Sequence, residues 1–355
     1  MHFGIQLATA ADSWKVVQRA EELGFTHAWF YDTQLLNAEM FVAMGAAAMK
    51  TSRIRLGTGV LIPSNRIAPV TASALATLNA LAPGRIDFAV GTGFTGRRTM
   101  GQKAITLARL EDHVRDVLGL LAGSTIGWES EGAVHKIRFL NPDLKLINIE
   151  DPIPLHISAF GPRGRKLTAK LGAGWMNSAR EAKSAAAAMT EMQASWKAEG
   201  RDVASLYATA VGGGCVMKDG ESADSPRVKA LAGPAAAIGF HAYAEADELG
   251  LLFPVPPPLQ GVFDTYKEQV WKKYQPEDAR YLENHRGHLM FVRPEEEKFL
   301  TGNLIRGMTL TATKAELVEQ LKAIAAAGYN QFTIHARNGR EIEMMQDWVE
   351  VFGQV

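Results

Sequence analysis

Short runs of β-branched and apolar residues alternate with helical periodicities along almost the whole chain. Phe3–Leu7, His27–Asp32, Ile54–Leu61, Ile86–Val90, Leu155–Ala159, Gly174–Ser178, Leu206–Val211 and Gln331–His335 read as eight strands with no polar face, the mark of buried parallel strands. Amphipathic or alanine-rich helices are predicted over Asp12–Leu23, Met40–Met49, Pro69–Leu81, Leu107–Leu121, Arg163–Leu171, Glu181–Glu199, Lys314–Ala327 and Ile342–Phe352. Eight strand–helix units predict an α/β chain folded as one (β/α)8 TIM barrel over residues 1–355. Two segments break the rhythm. Residues 124–150, after the fourth strand, read as a hairpin excursion; residues 217–303, after the seventh, read as a lid-like insertion punctuated by FPVPPP at Phe253–Pro258.

Composition narrows the function class. Lys+Arg and Asp+Glu balance at 38 each, so no electrostatic pull toward nucleic acid or an anionic membrane is expected. MHFGIQLATAADSWK lacks a signal-peptide pattern and no run is long enough to span a bilayer, which leads to the expectation of a cytoplasmic protein. The single cysteine, Cys215, reads as a small core residue and excludes an intrachain disulfide.

A parallel barrel places its chemistry at the carboxyl ends of its strands. Those positions are Gln6, Asp32-Thr33-Gln34, Gly59-Val60-Leu61, Gly91-Thr92-Gly93, Ser158-Ala159-Phe160-Gly161, Asn177-Ser178, Gly212-Gly213-Gly214 and His335. Few are ionisable. Small residues and amides suit a site that holds a large planar cofactor, rather than a hydrolytic or metal centre. SAFGPRGRK, Ser158–Lys166, runs from a strand into a helix start with Pro162 at the first position and Arg163, Arg165 and Lys166 close behind; free amides and cations there suit a phosphate. Asp32 is either a catalytic carboxylate or a cap for the following loop. His285, Arg286 and His288 form a cluster in the insertion that touches substrate or cofactor, or simply lies on the surface. GTGFTG (Gly91–Gly96) has GxGxxG spacing without a dinucleotide-binding sheet around it.

FGIQL, AEELGFTHAWFYD, RIRLGTGVLIPSNR, LNALAPGRIDFAVGTG, PLHISAFGPRGRKLTAKLGAGW and TATKAELVEQLKAIAAAGYNQFTIH, in this order, give the chain a resemblance to the luciferase-like flavin-dependent oxidoreductases over nearly its whole length. That resemblance implies a barrel with a flavin at its carboxyl face. It implies, from the deazaflavin branch, a non-prolyl cis peptide at Gly59–Val60 behind the ring, together with a ring contact at Thr92 and a phosphate cradle over Ser158, Ala159, Phe160, Gly161, Pro162 and Arg163. Departures accompany it. Thr33 stands where deazaflavin sugar-phosphate dehydrogenases have histidine, Phe94 where they have an acid, and Gln6 where methylene-tetrahydromethanopterin reductases have glutamate.

The leading expectation is therefore a monooxygenase using reduced FMN from a separate flavin reductase, and oxygen, on a small organic substrate. In that reading Asp32 and His285 are catalytic, and Gln6, Phe94 and His288 face the substrate. The alternative is hydride transfer with the deazaflavin coenzyme F420, and a third reading is a non-catalytic flavin-binding relative. The resemblance also implies a homodimer paired through helices of the first third.

Overall fold

The computed structural model describes residues 1–251 and 253–355. Strands β1 (His2–Leu7), β2 (His27–Phe30), β3 (Arg55–Thr58), β4 (Ile86–Val90), β5 (Leu155–Ser158), β6 (Gly174–Ser178), β7 (Ala208–Gly212) and β8 (Gln331–Ala336) form a closed parallel barrel. Each strand pairs with its neighbours in the chain, and β8 closes on β1 with His335 opposite Gln6. The chain is a (β/α)8 TIM barrel. Beyond Thr58, β3 bulges through a cis Gly59–Val60 peptide and meets β4 again at Leu61, whose amide donates to the Ala89 carbonyl at 2.8 Å.

Side chains alternate along each strand, so register decides what fills the barrel. Ile5, Ala28, Phe30, Leu56, Phe88 and Ile157 point outward into one continuous core under the helices. His27, Trp29, Asp87, His156, Met176 and Thr209 point inward. His27 stacks on Trp29 at 5.8 Å between centroids, and the His156 ring packs edge-on to Trp29 at 5.3 Å. Glycine makes room for both large rings. A Cβ on Gly57 would lie 2.3 Å from the Trp29 ring, and one on Gly174 would lie 2.3 Å from His156. Lower down, Arg55 holds Asp87 through two bonds of 2.8 and 3.0 Å. The barrel is a packed core up to its last layer.

The excursion after β4 is an antiparallel hairpin, Ile126–Ser130 with Ala133–Ile137. The stretch between β7 and the helix Lys314–Ala326 is largely helical, led by a 23-residue helix, Pro226–Glu248. Sequence periodicity does not reveal that helix, because it is buried on nearly all sides and carries Pro234 in its interior. Among the described residues, no helix is long and apolar enough to cross a membrane.

Candidate functional site at the barrel rim

The inward positions of the top layer fall into two unlike halves. On β3 to β6 they are Gly59, Gly91, Ser158 and Ser178, with half-buried Val60 and Thr92 beside them. A Cβ on Gly91 would approach the Val60 side chain to 2.7 Å, so glycine there keeps the bulge and β4 together. This half is a low wall with little beyond Cβ. On β8, β1 and β2 the same layer carries His335, Gln6 and Tyr31, and Arg337 follows one step above. This half is large and polar.

At the edge of the low wall, the helix Pro162–Leu171 begins with no side chain capping it. Gly161, its N-cap, faces open space: a Cβ there would meet nothing within 4 Å. The amides of Arg163 and Gly164 precede the first helical bond, which runs from Arg165 to the Gly161 carbonyl at 3.0 Å. Arg163 and Phe160 are exposed, while Ala159 is buried. Arg165 is committed elsewhere, donating to the Phe160 carbonyl at 2.7 Å and pairing with Glu191. A flat ring against Gly59, Val60 and Gly91, continuing to a phosphate at this helix start, fits these residues.

Across the mouth, the Tyr31 hydroxyl and His335 Nδ1 lie 2.6 Å apart. Burial, followed by the neighbouring Arg337 charge, pushes His335 down to about 3, so its ring is neutral near pH 7. Burial also raises the Tyr31 phenol above its ordinary value. The long helix of the insertion covers this side. Its Leu231 carbonyl accepts from Arg337 Nε at 3.0 Å, and its Ala235 packs on Gly213. His288 reaches down to Thr95 Oγ1 at 3.5 Å. Phe94 is half exposed, with the Arg98 guanidinium over its ring at 5.5 Å.

Two residues assigned to catalysis from the sequence are engaged in other work. The Asp32 carboxylate accepts from the Ile62 amide at 2.9 Å, from Asn65 at 3.2 Å and from Arg66 at 2.9 Å. It pins the loop that follows the β3 bulge, which is the loop-capping alternative rather than a free carboxylate. His285 is buried with Nε2 3.2 Å from Glu245, which faces Arg98. The structure thus gives Asp32 a loop-holding role and places His285 beside Glu245. Three glycines from two motifs also find structural reasons. Gly93 adopts φ +78°, a Cβ on Gly96 would strike Ile62 at 2.4 Å, and one on Gly214 would lie 2.0 Å from the Leu310 carbonyl. Among the described residues, no group of three or more His, Cys, Asp or Glu side chains is arranged to hold a metal.

Tyr31, Arg337 and the Pro226–Glu248 helix were not singled out by sequence reasoning. The signal for Tyr31 was its place in HAWFYD, two residues beyond Trp29 and so on the same inward face. Arg337 sits two residues beyond His335 by the same rule.

The family model described as luciferase-like monooxygenase matches residues 4–331. The chain is similar to a 5,10-methylenetetrahydromethanopterin reductase of Methanolobus tindarius, 26% identical over 232 residues, covering 63% of this chain and 68% of that one. It is also similar to an F420-dependent glucose-6-phosphate dehydrogenase of Beutenbergia cavernae, 33% identical over 144 residues, 38% of this chain and 40% of the relative. The chain thus spans about two thirds of the first relative's length and two fifths of the second's. In fold it is similar to the coenzyme F420 dependent tetrahydromethanopterin reductase from Methanopyrus kandleri, with a TM-score of 0.69 at 19% identity over 99% of this chain and 97% of that one. These names correct the leading expectation: all three are reductases or dehydrogenases and two carry F420, against a monooxygenase working with FMN and oxygen. With the family model running from the first strand of the barrel to the start of its last, the chain is an oxidoreductase that belongs to the luciferase-like monooxygenase family.

Proposed function

We propose that this oxidoreductase exchanges a hydride between the deazaflavin coenzyme F420 and a small organic substrate, without oxygen. The observation that carries the reading is the two-sided rim: a low wall ending at an uncapped helix start, opposite a polar wall under the insertion. The choice of coenzyme rests on the relatives named above. When bound, the coenzyme would supply or accept the hydride. Gly59, Val60, Gly91 and Thr92 would hold its ring. Ser158, the amides of Arg163 and Gly164, and the Arg163 guanidinium would hold its phosphate, with Ala159, Phe160, Gly161 and Pro162 shaping that turn.

In this reading the Tyr31–His335 pair would face the substrate, with Gln6, Phe94 and His288 lining the same space. With the phenol donating to Nδ1, the His335 ring proton sits on Nε2. A neutral imidazole in that state is a poor base and a good hydrogen-bond donor, suited to polarising an oxygen on the reacting carbon. In the reducing direction the carbon gains the hydride and the oxygen gains one proton, relayed through this pair from solvent. The insertion covers the polar wall and excludes water.

Anaerobic titration with F420 and with FMN, each followed by absorbance, tests the reading. F420 should bind at least about tenfold more tightly, a difference of about 1.4 kcal/mol. On exposure to air, the reduced complex should consume oxygen no faster than the free coenzyme. Preferential FMN binding with rapid oxygen uptake would contradict it; tight flavin binding with no substrate turnover would instead favour a storage role.

A further inference from the structure

We propose that the polar half of the rim is a carboxylate subsite, in which the Arg337 guanidinium binds a substrate carboxylate placed beside the carbon that exchanges hydride. The reaction beside it rests on the hydride-transfer reading; the binding itself does not.

The buried arginines of this chain share a habit that Arg337 breaks. Arg98 faces Glu245, Arg165 pairs with Glu191, and Arg293 pairs with Glu296. Arg337 is 1% exposed, and among the described residues its only side-chain hydrogen bond runs from Nε to the Leu231 carbonyl. Both terminal nitrogens are buried, with no partner among the described residues. A buried guanidinium lacking a counter-ion is costly unless a ligand supplies one. Burial lowers Arg337 to about 10, which leaves it charged near pH 7.

Its neighbours define what kind of anion fits. The groups around it are Tyr31, His335 and His288, with Glu341 more distant in charge contact. His288 and His335 are both pushed down by burial, and neutral rings add no charge. The site therefore offers one positive charge. That matches a monoanion rather than a phosphate dianion. Two free terminal nitrogens in a planar fork match the two oxygens of a carboxylate. The Nε bond to the insertion helix fixes which way the fork faces, so binding there would also hold the insertion against the barrel.

Thermal melting without coenzyme tests the subsite. At constant ionic strength, acetate, lactate and benzoate are compared with propane-1,2-diol, benzyl alcohol and inorganic phosphate. At least one carboxylate should raise Tm well above its alcohol counterpart and above phosphate. Arg337→Met should abolish that shift while melting no lower than the parent, since it removes an unpaired buried charge. Arg337→Lys should keep a reduced shift. Equal shifts from acids and alcohols, or a carboxylate shift that survives in Arg337→Met, would overturn the proposal. So would an Arg337→Met protein that melts well below the parent, which marks a structural role. F420 affinity should be unchanged in Arg337→Met. A parent protein that binds carboxylates and not F420 would refute the hydride-transfer reading and leave this subsite standing.

Discussion

At the scale of single residues, the rim separates groups that hold the loops from groups that face the mouth. Asp32 belongs to the first kind. Asp32→Asn leaves Arg66 with only Glu39 as an anionic partner and should cost about 3 kcal/mol of stability, near the lower end for breaking a buried pair. Urea unfolding measures this; an unchanged midpoint with lost turnover would restore Asp32 to a catalytic role. Tyr31 belongs to the second kind. Tyr31→Phe should lower kcat by about 100-fold, the low end for losing a proton-relay group, with KM little changed. The glycines that make the low wall were legible in the sequence, because each ends an apolar run. Tyr31 and Arg337 were not, since inward and outward positions separate only once the barrel register is known. Asp32 reads as two alternatives because an acid at a strand end looks the same whether it meets solvent or an arginine 34 residues along the chain.

At the scale of elements, the strand–helix alternation carried most of the fold. Ile86–Val90, Gly174–Ser178 and Leu107–Leu121 match their predicted bounds; Gly91 closes the first, Gly174 opens the second, and Ala122-Gly123 ends the amphipathic third. Strand β2 stops at Phe30, short of the predicted Asp32, since the chain turns there to place Tyr31 and the Asp32 loop tie. The insertion was the least legible part. Its main helix has no polar stripe, and His241 and Glu245 on it meet Glu296 and His285 from segments some 40 to 55 residues away. Burial alone would raise Glu296, and hydrogen bonds from His241 and Arg293 reverse that and hold it ionised. At the helix start Pro162–Leu171, Arg163→Ala should weaken F420 binding by about 10- to 100-fold, the loss of one charge-assisted contact of about 1.5–3 kcal/mol. Riboflavin-type ligands lacking the phosphate should bind both proteins alike. Equal F420 affinity in the two proteins would remove the phosphate from this helix.

At the scale of the whole molecule, buried neutral histidines tie stability to pH. His27 and His113 are pushed down to about 3 and about 4 by burial, and His241, His288 and His335 are lowered as well. Each binds a proton less readily folded than unfolded. The unfolded chain therefore takes up more protons below about pH 6.5, and stability falls as pH drops. Every such group contributes a slope of up to about 1.4 kcal/mol per pH unit. Asp87 is also lowered, against its burial, by His156 and Arg55, and its contribution is lost at still lower pH in the same direction. Denaturant midpoints measured from about pH 7 down to about pH 5 should fall steadily. A flat or rising profile would mean that these rings are not buried in the neutral form.

The rim as a coenzyme site is the claim on which the chemistry depends, and a crystal structure of the protein soaked with F420 addresses it most directly. The deazaflavin ring should lie against Gly59, Val60 and Gly91, with its phosphate on the amides of Arg163 and Gly164 and its open face toward His335. A ring lodged outside the barrel, or in the surface depression between Pro63–Ala68 and the hairpin strand at Trp128, would contradict it.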